Sequence, residues 1–260
     1  MNYTDIIVEK KGPVVWITLN KPQRKNALGR QTFLELSAVI DDIEKDATVV
    51  AVVIKGAGDA FCSGIDLKDA ASSPDPAERL AFKRLADKVF ARIENLGKVV
   101  IAMIHGYTMA GGLELAMLCD MIIADENVRV GDGHIRTGII PNGGGSQRLP
   151  RLIGIMKAKE LLYTGELIDG KEAERIGLVN RAVPGDKLEN AVEAVIAKLV
   201  DKAPLALGAL KVLVNRGMES SLESALELEA QVVKGLQATE DFRESMAAFS
   251  EKRKPVYKGR

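Results

Sequence analysis

Glu114 is the only carboxylate between His105 and Asp120, in a stretch, HGYTMAGGLELAMLCD, made mostly of apolar residues and glycine. An acid among Leu113, Leu115 and Ala116 is drawn out of water, and buried acids are rare without a partner or a task. Acid/base work at a reacting carbon is one such task, and a structural hydrogen bond is the other. Gly111 and Gly112 stand just ahead of Glu114 at the mouth of the expected helix. The first amides of a helix lack intrahelical partners and lie at the positive end of its dipole, and glycine lets an anionic oxygen approach them. A tight strand-to-helix turn with no ligand would use the same glycines. Twenty positions after Glu114, His134 sits in the glycine-rich segment GDGHIRTGIIPNGGG. Free amides, a desolvated acid and an imidazole that titrates near neutrality are the parts needed for chemistry beside a carbonyl.

A second segment, GAGDAFCSGIDLKD (56–69), leaves an apolar run and turns through Gly58 and Gly64 before Asp66, offering another backbone amide at Ile65. Cys62-Ser63-Gly64 is not a nucleophile elbow, because position 61 is Phe, and Ser63 reads as a turn residue. GIIPNGGG (138–145) is not a Walker loop, since no Gly-Lys-Ser/Thr comes after it. Two histidines and two dispersed cysteines give no metal-ligand spacing, so no metal is expected.

The elements that must hold these groups are legible from periodicity. Residues 4–9 and 14–19 read as paired strands turning at Gly12-Pro13. Phe33, Leu36, Ile40 and Ile43 mark one helical face over 31–46, and Phe82, Leu85, Val89, Ile93 and Leu96 mark another behind Pro74 and Pro76. VVAVVIKG (49–56) and VVIAMIHG (99–106) are continuous apolar runs of the kind covered on both faces, and 120–125 is a further strand. Beyond residue 186 the strands stop, and 186–201, 204–216, 221–237 and 239–250 read as helices. The division expected is a core over 1–185 that binds and acts, and a C-terminal helical module over 186–260 for association between copies. Periodicity alone fits a superhelix of ββα turns as well as an open doubly wound sheet.

Composition narrows the class. Acidic and basic residues balance at 36 each, which gives no global field towards nucleic acid or membrane. No run approaches a membrane span, the first residues lack a signal-peptide pattern, and Cys62 and Cys119 suit free thiols in a reducing cytoplasm.

Taken in order, LNKPQRKNAL (19–28), AFCSGIDLK (60–68), HGYTMAGGLELAMLCD (105–120), GIIPNGGGSQRLPRLIG (138–154) and LLYTGELIDGKEAERIGLVNRAV (161–183) resemble the crotonase (enoyl-CoA hydratase/isomerase) superfamily. The likeness implies an α/β superhelix of ββα turns with a C-terminal helical module. It implies an oxyanion hole at the Ile65 and Gly111 amides that holds a thioester carbonyl, with Glu114 as the catalytic acid/base. Coenzyme A contacts are implied at Lys25, Ala27, Gly64, Ile65, Asp66, Leu67, Lys68 and Gly111, and an acyl pocket walled by residues 68–90, among them Ala70, Ala71, Leu80 and Phe82. The basic tail EKRKPVYKGR also suits CoA phosphate, although a solvated terminus is the simpler reading. The likeness also implies assembly as a homotrimer or homohexamer. No separate cofactor is implied, since coenzyme A is part of the acyl-CoA substrate.

One position departs from the two-acid hydratases: their second glutamate falls at His134. An imidazole there can move a proton, anchor water or make a structural hydrogen bond. Hydration of a 2-enoyl-CoA leads. Another enolate reaction, such as double-bond isomerisation, decarboxylation or C–C hydrolysis of a β-dicarbonyl thioester, stays open, as does acyl-CoA binding without turnover.

Overall fold

Three of the long strands are each succeeded by a short one, and the two kinds feed different sheets. In the computed structural model, which describes residues 3–70 and 74–260, strands β1 (Ile6–Lys11) and β2 (Val14–Leu19) form a hairpin through Gly12. Helix α1 (Arg30–Lys45) precedes β3 (Ala51–Gly56), β4 (Ala60–Cys62), α2 (Leu67–Ala70) and α3 (Pro76–Glu94). Then come β5 (Val99–Ile104), β6 (Tyr107–Met109) and α4 (Gly111–Met117), and after them β7 (Met121–Asp125) and β8 (Arg129–Gly131). A 3-10 turn (His134–Thr137), α5 (Gly145–Ile153), α6 (Ile155–Thr164), α7 (Gly170–Arg175) and β9 (Arg181–Val183) complete the strand-bearing part. The chain closes with α8 (Leu188–Ile196), α9 (Pro204–Gly217), α10 (Leu222–Gln237) and α11 (Glu240–Glu251).

The six-stranded sheet runs β1-β2-β3-β5-β7-β9 and is parallel from β2 onward, while β4-β6-β8 form a separate parallel sheet. A long strand, a short strand and a helix therefore make one turn of a superhelix, and the doubly wound alternative is set aside. The three short strands are among the elements that periodicity misses, because three residues carry too little pattern to reveal a period of two.

Period-two alternation explains why the long strands are apolar throughout. Val15, Ile17 and Leu19 of β2, Val52 and Ile54 of β3, and Val100, Ala102 and Ile104 of β5 share one core with the apolar faces of α1 and α3. Val14 and Trp16, Ala51 and Val53, and Val99 and Ile101 point the other way into a second core with Leu188, Val192 and Leu199. The change at residue 186 is thus one of element type; α8 seals the second face of the sheet. α9 is anchored too, by Lys211 Nζ at 2.9 Å from Asp120 Oδ2.

Strand β1 begins at Ile6, two residues later than the start at residue 4 that the alternation predicts. Glu35 of α1 accepts the backbone N–H groups of Thr4, Asp5 and Ile6, which ties the strand's start to the helix. Helix α3 starts as the sequence indicates, with Pro76 in its first turn and the Asp75 side chain accepting from Ala77 N.

Candidate active site

The ends of three neighbouring strands collect the chemistry. β4, β6 and β8 are parallel neighbours, with Cys62 beside Thr108, and Met109 beside Gly131. The segments that leave these strands are therefore brought together: Ser63-Gly64-Ile65-Asp66 after β4, Ala110-Gly111 and Glu114 after β6, and Asp132-Gly133-His134 after β8.

The Ile65 and Gly111 amides converge. A Cβ built on Gly111 would lie 3.0 Å from Ile65 N, and one on Gly64 would lie 3.0 Å from Gly111 N. Among the described residues neither amide donates to a protein acceptor. Gly64 takes φ +111, and Ala110 holds φ 50 and ψ −121, a region that non-glycine residues seldom adopt. That unusual Ala110 backbone turns the chain from β6 into α4. Gly112 packs against the Cys62 carbonyl, where any side chain would collide. The paired glycines thus split their duties: Gly111 leaves an amide open, and Gly112 lets α4 sit close on β4.

Glu114 is 2 % exposed, and its Oε1 accepts two backbone N–H groups, from Gly143 at 2.7 Å and Gly145 at 2.9 Å. The PNGGG loop is accordingly the clamp that aims the acid, and among the described residues Oε2 accepts no hydrogen bond. Sequence reasoning excludes a Walker loop here and gives these glycines no other role. The signal for one is their density opposite a lone buried acid.

His134 is nearly buried, and its Nδ1 lies 2.9 Å from Asp132 Oδ1. Burial alone would favour the neutral ring, but the hydrogen bond and charge of Asp132, joined by the charge of Glu114, raise its pKa above the ordinary 6.5. Asp132 is a further residue that the sequence motifs do not single out, although it stands two places from His134.

The remaining candidates lie on the 20–28 turn and the 63–68 loop. Asp66 is buried and committed to Arg24, whose Nη1 and Nη2 lie 2.6 and 3.1 Å from its oxygens, and its Oδ1 also accepts the Lys68 amide. It braces the loop that carries Ile65. Leu28 N donates to Gly64 O at 2.8 Å, joining the 20–28 turn to the same loop. In that turn Lys25 has φ 47, and its ammonium lies 3.0 Å from Asp59 and 4.6 Å from the Tyr107 ring centre. Buried Asn26 locks the turn through its side-chain bonds to Lys21, Ala57 and Ala60, and Ala27 is buried beside it. Leu67 and Lys68 are exposed. The Ser63 hydroxyl donates to the Arg24 carbonyl and its backbone N–H to the Lys25 carbonyl, as a turn residue would.

Of the expected acyl-pocket walls, Phe82 is buried and packs edge-on to Phe33 at 5.9 Å, and Leu80 is half exposed. Ala71 lies outside the described residues, as does the side chain of Ala70. The basic tail is tied down: Arg253 pairs with Glu244, and buried Asp241 accepts the Lys258 and Gly259 amides.

Comparison with known proteins shows the family. A family model described as enoyl-CoA hydratase/isomerase covers residues 9–260. The chain is 41% identical over 255 residues to the short-chain-enoyl-CoA hydratase of Clostridium acetobutylicum, covering 98% of this chain and 97% of that protein. It is 39% identical over 255 residues to the crotonyl-CoA hydratase of Syntrophomonas wolfei, covering 98% of each. The enoyl-CoA hydratase structure from Bacillus anthracis superposes with a TM-score of 0.92 at 36% identity, covering 99% of this chain and 100% of that one. With the ββα superhelix, the paired amides and the clamped acid in place, the chain belongs to the enoyl-CoA hydratase/isomerase family.

Proposed function

We infer that the protein adds water reversibly across the double bond of a 2-enoyl-CoA. The observation that carries this reading is the convergence of two free amides, Ile65 and Gly111, beside a buried carboxylate with one free oxygen. A thioester carbonyl seated on the amides lets charge collect on its oxygen, which is where such donors stabilise a transition state most. Glu114 takes a proton from water as the water oxygen bonds to C3. The electrons of the double bond move through C2 to the thioester oxygen, giving an enolate. His134, in its protonated form, then gives a proton to C2. Glu114 returns its proton to solvent and His134 regains one, so the net change is one water added. The upward shift of the His134 pKa supports a proton donor at that position.

Coenzyme A enters as part of the substrate, and no separate cofactor takes part in this scheme. Lys25, Ala27, the 64–68 loop and Gly111 are the residues proposed to border it. Among the described residues no helix is long and apolar enough to cross a membrane. Free thiols at Cys62 and Cys119 accord with a cytoplasmic site of action, and the balanced charge gives no reason to invoke nucleic acid. Val214, Met218, Leu222 and Phe249 expose apolar side chains across α9–α11, which supports burial between copies as a homotrimer or homohexamer. Light scattering in solution reads that assembly, and a monomer would overturn it.

Crotonyl-CoA is the first substrate to try. Its conjugated enoyl-thioester absorbance is expected to fall when the protein is added. No change with short, long or branched enoyl-CoAs would overturn hydration and direct attention to the other enolate reactions.

A further inference from the structure

The Asp132–His134 pair carries an inference that rests on the hydration reading and adds a residue to it. Asp132 leaves the end of β8 with 1 % exposure, and its Oδ1 accepts both the ring Nδ1 of His134 at 2.9 Å and the His134 backbone N–H at 3.3 Å. A carboxylate offers only lone pairs, so the ring's proton on this side belongs to Nδ1. The neutral ring then has its lone pair on Nε2, and the protonated ring has its transferable proton there. The other oxygen, Oδ2, is buried without a hydrogen-bond partner among the described residues. It faces Gly145: a Cβ there would lie 2.9 Å from Asp132 Oδ2 and 3.2 Å from Glu114 Oε1. Two buried carboxylates thus flank one glycine, and the cation-forming group they act on is the His134 ring.

A purely structural reading accounts for the bond to the backbone N–H, which is a local turn closure. It does not account for a buried carboxylate that leaves one oxygen unsatisfied and commits the other to a ring nitrogen, since an unpaired buried acceptor is costly. We propose that Asp132 is a positioning residue that fixes the His134 ring with Nε2 as its working nitrogen and supports the imidazolium form. The groups whose charge acts on the ring are Asp132, from the end of β8, and Glu114, from α4. α6 also packs on the 3-10 turn that begins at His134.

The chain has two histidines, so ring signals in a nitrogen-labelled sample are assignable, with His134→Gln identifying one and His105 serving as the internal reference. Asp132→Asn keeps the shape and an acceptor oxygen while removing the charge. In the substrate-free wild-type protein, neutral His134 is expected to carry its proton on Nδ1. In Asp132→Asn its titration moves to lower pH. Crotonyl-CoA hydration by Asp132→Asn is expected to lose about tenfold or more in kcat with KM little changed. The basic limb of the pH–rate profile moves to lower pH along with the His134 titration. A wild-type ring protonated at Nε2 overturns the proposal, and so does an identical His134 titration in both proteins. If Asp132→Asn folds poorly by circular dichroism, the wild-type tautomer alone decides. Because the ring measurements use no substrate, inactivity of the wild-type protein towards enoyl-CoAs counts against hydration and not against the Asp132–His134 relationship.

Discussion

Glu114 Oε1 accepts the backbone N–H of Gly143 at 2.7 Å, so an acid carried by one helix is aimed by a loop 29 residues further along the chain. Gly143 can approach because it has no side chain: a Cβ there would lie 2.5 Å from Glu114 Oε2 and 2.9 Å from the Phe90 ring. Gly143→Ala is therefore expected to push the carboxylate aside, with overpacking that costs about 1–3 kcal/mol. Hydration should fall at least tenfold, on the order of what a misplaced proton-transfer group loses. Gly138→Ala is the comparison: φ is 74 and nothing stands within 4 Å of the added methyl, so it carries only strain of about 1–2 kcal/mol. Denaturant unfolding and kcat measured on both variants separate the two effects, and equal kcat losses would remove the clamp from the mechanism.

Glu114→Gln tests the acid itself. The glutamine carbonyl can still accept from Gly143 and Gly145, so the fold of the loop is kept while the proton acceptor is lost. Turnover of crotonyl-CoA is expected to drop by about 10²–10⁴, with CoA-thioester affinity by calorimetry nearly unchanged. Turnover within about threefold of wild type would assign the chemistry to another group.

The amide pair is tested at Gly111, where the argument is steric. An added Cβ sits 3.0 Å from Ile65 N and 3.2 Å from Ile65 Cγ1, crowding the amide proposed to receive the thioester oxygen. Gly111→Ala is expected to cost roughly 10²–10³ in kcat, the loss seen when one oxyanion donor is removed. A nonhydrolysable enoyl-CoA analogue should also bind more weakly. An unchanged rate would place the carbonyl elsewhere.

The pH dependence of stability depends on His134. Its folded pKa is raised above the ordinary 6.5, because the hydrogen bond and charge of Asp132 and the charge of Glu114 outweigh burial. A raised folded pKa means that the folded protein holds this proton more tightly than the unfolded chain does. The contribution is fully present below about 6.5 and is lost as pH rises through the folded value. Wild type minus His134→Gln stability, from denaturant unfolding at successive pH values, should therefore shrink across that window. A difference that grows with pH would reverse the sign and reject the assignment.

Much of this protein is legible in one dimension. The apolar runs that became β2, β3 and β5, and the helical faces of α1 and α3, reflect periods of two and of about 3.6 residues, which are properties of the local backbone. The motifs around Ile65, Gly111 and Glu114 point to a thioester site through the family they resemble, and the helices past residue 186 are set by their own apolar spacing. The three short strands carry no such period, yet their parallel pairing brings the 63–66, 110–114 and 132–134 segments to one place. The same holds for the partners of the charged groups. Nothing near Glu114 in the chain marks Gly143 and Gly145 as its donors, and nothing near Asp66 marks Arg24. Asp132 stands beside His134 in sequence, but whether it turns to the ring or to solvent depends on how α5 and the PNGGG loop close over it. Periodicity is written residue by residue, whereas a buried carboxylate acquires its partners, and with them its role, only when distant backbone closes around it and water is excluded.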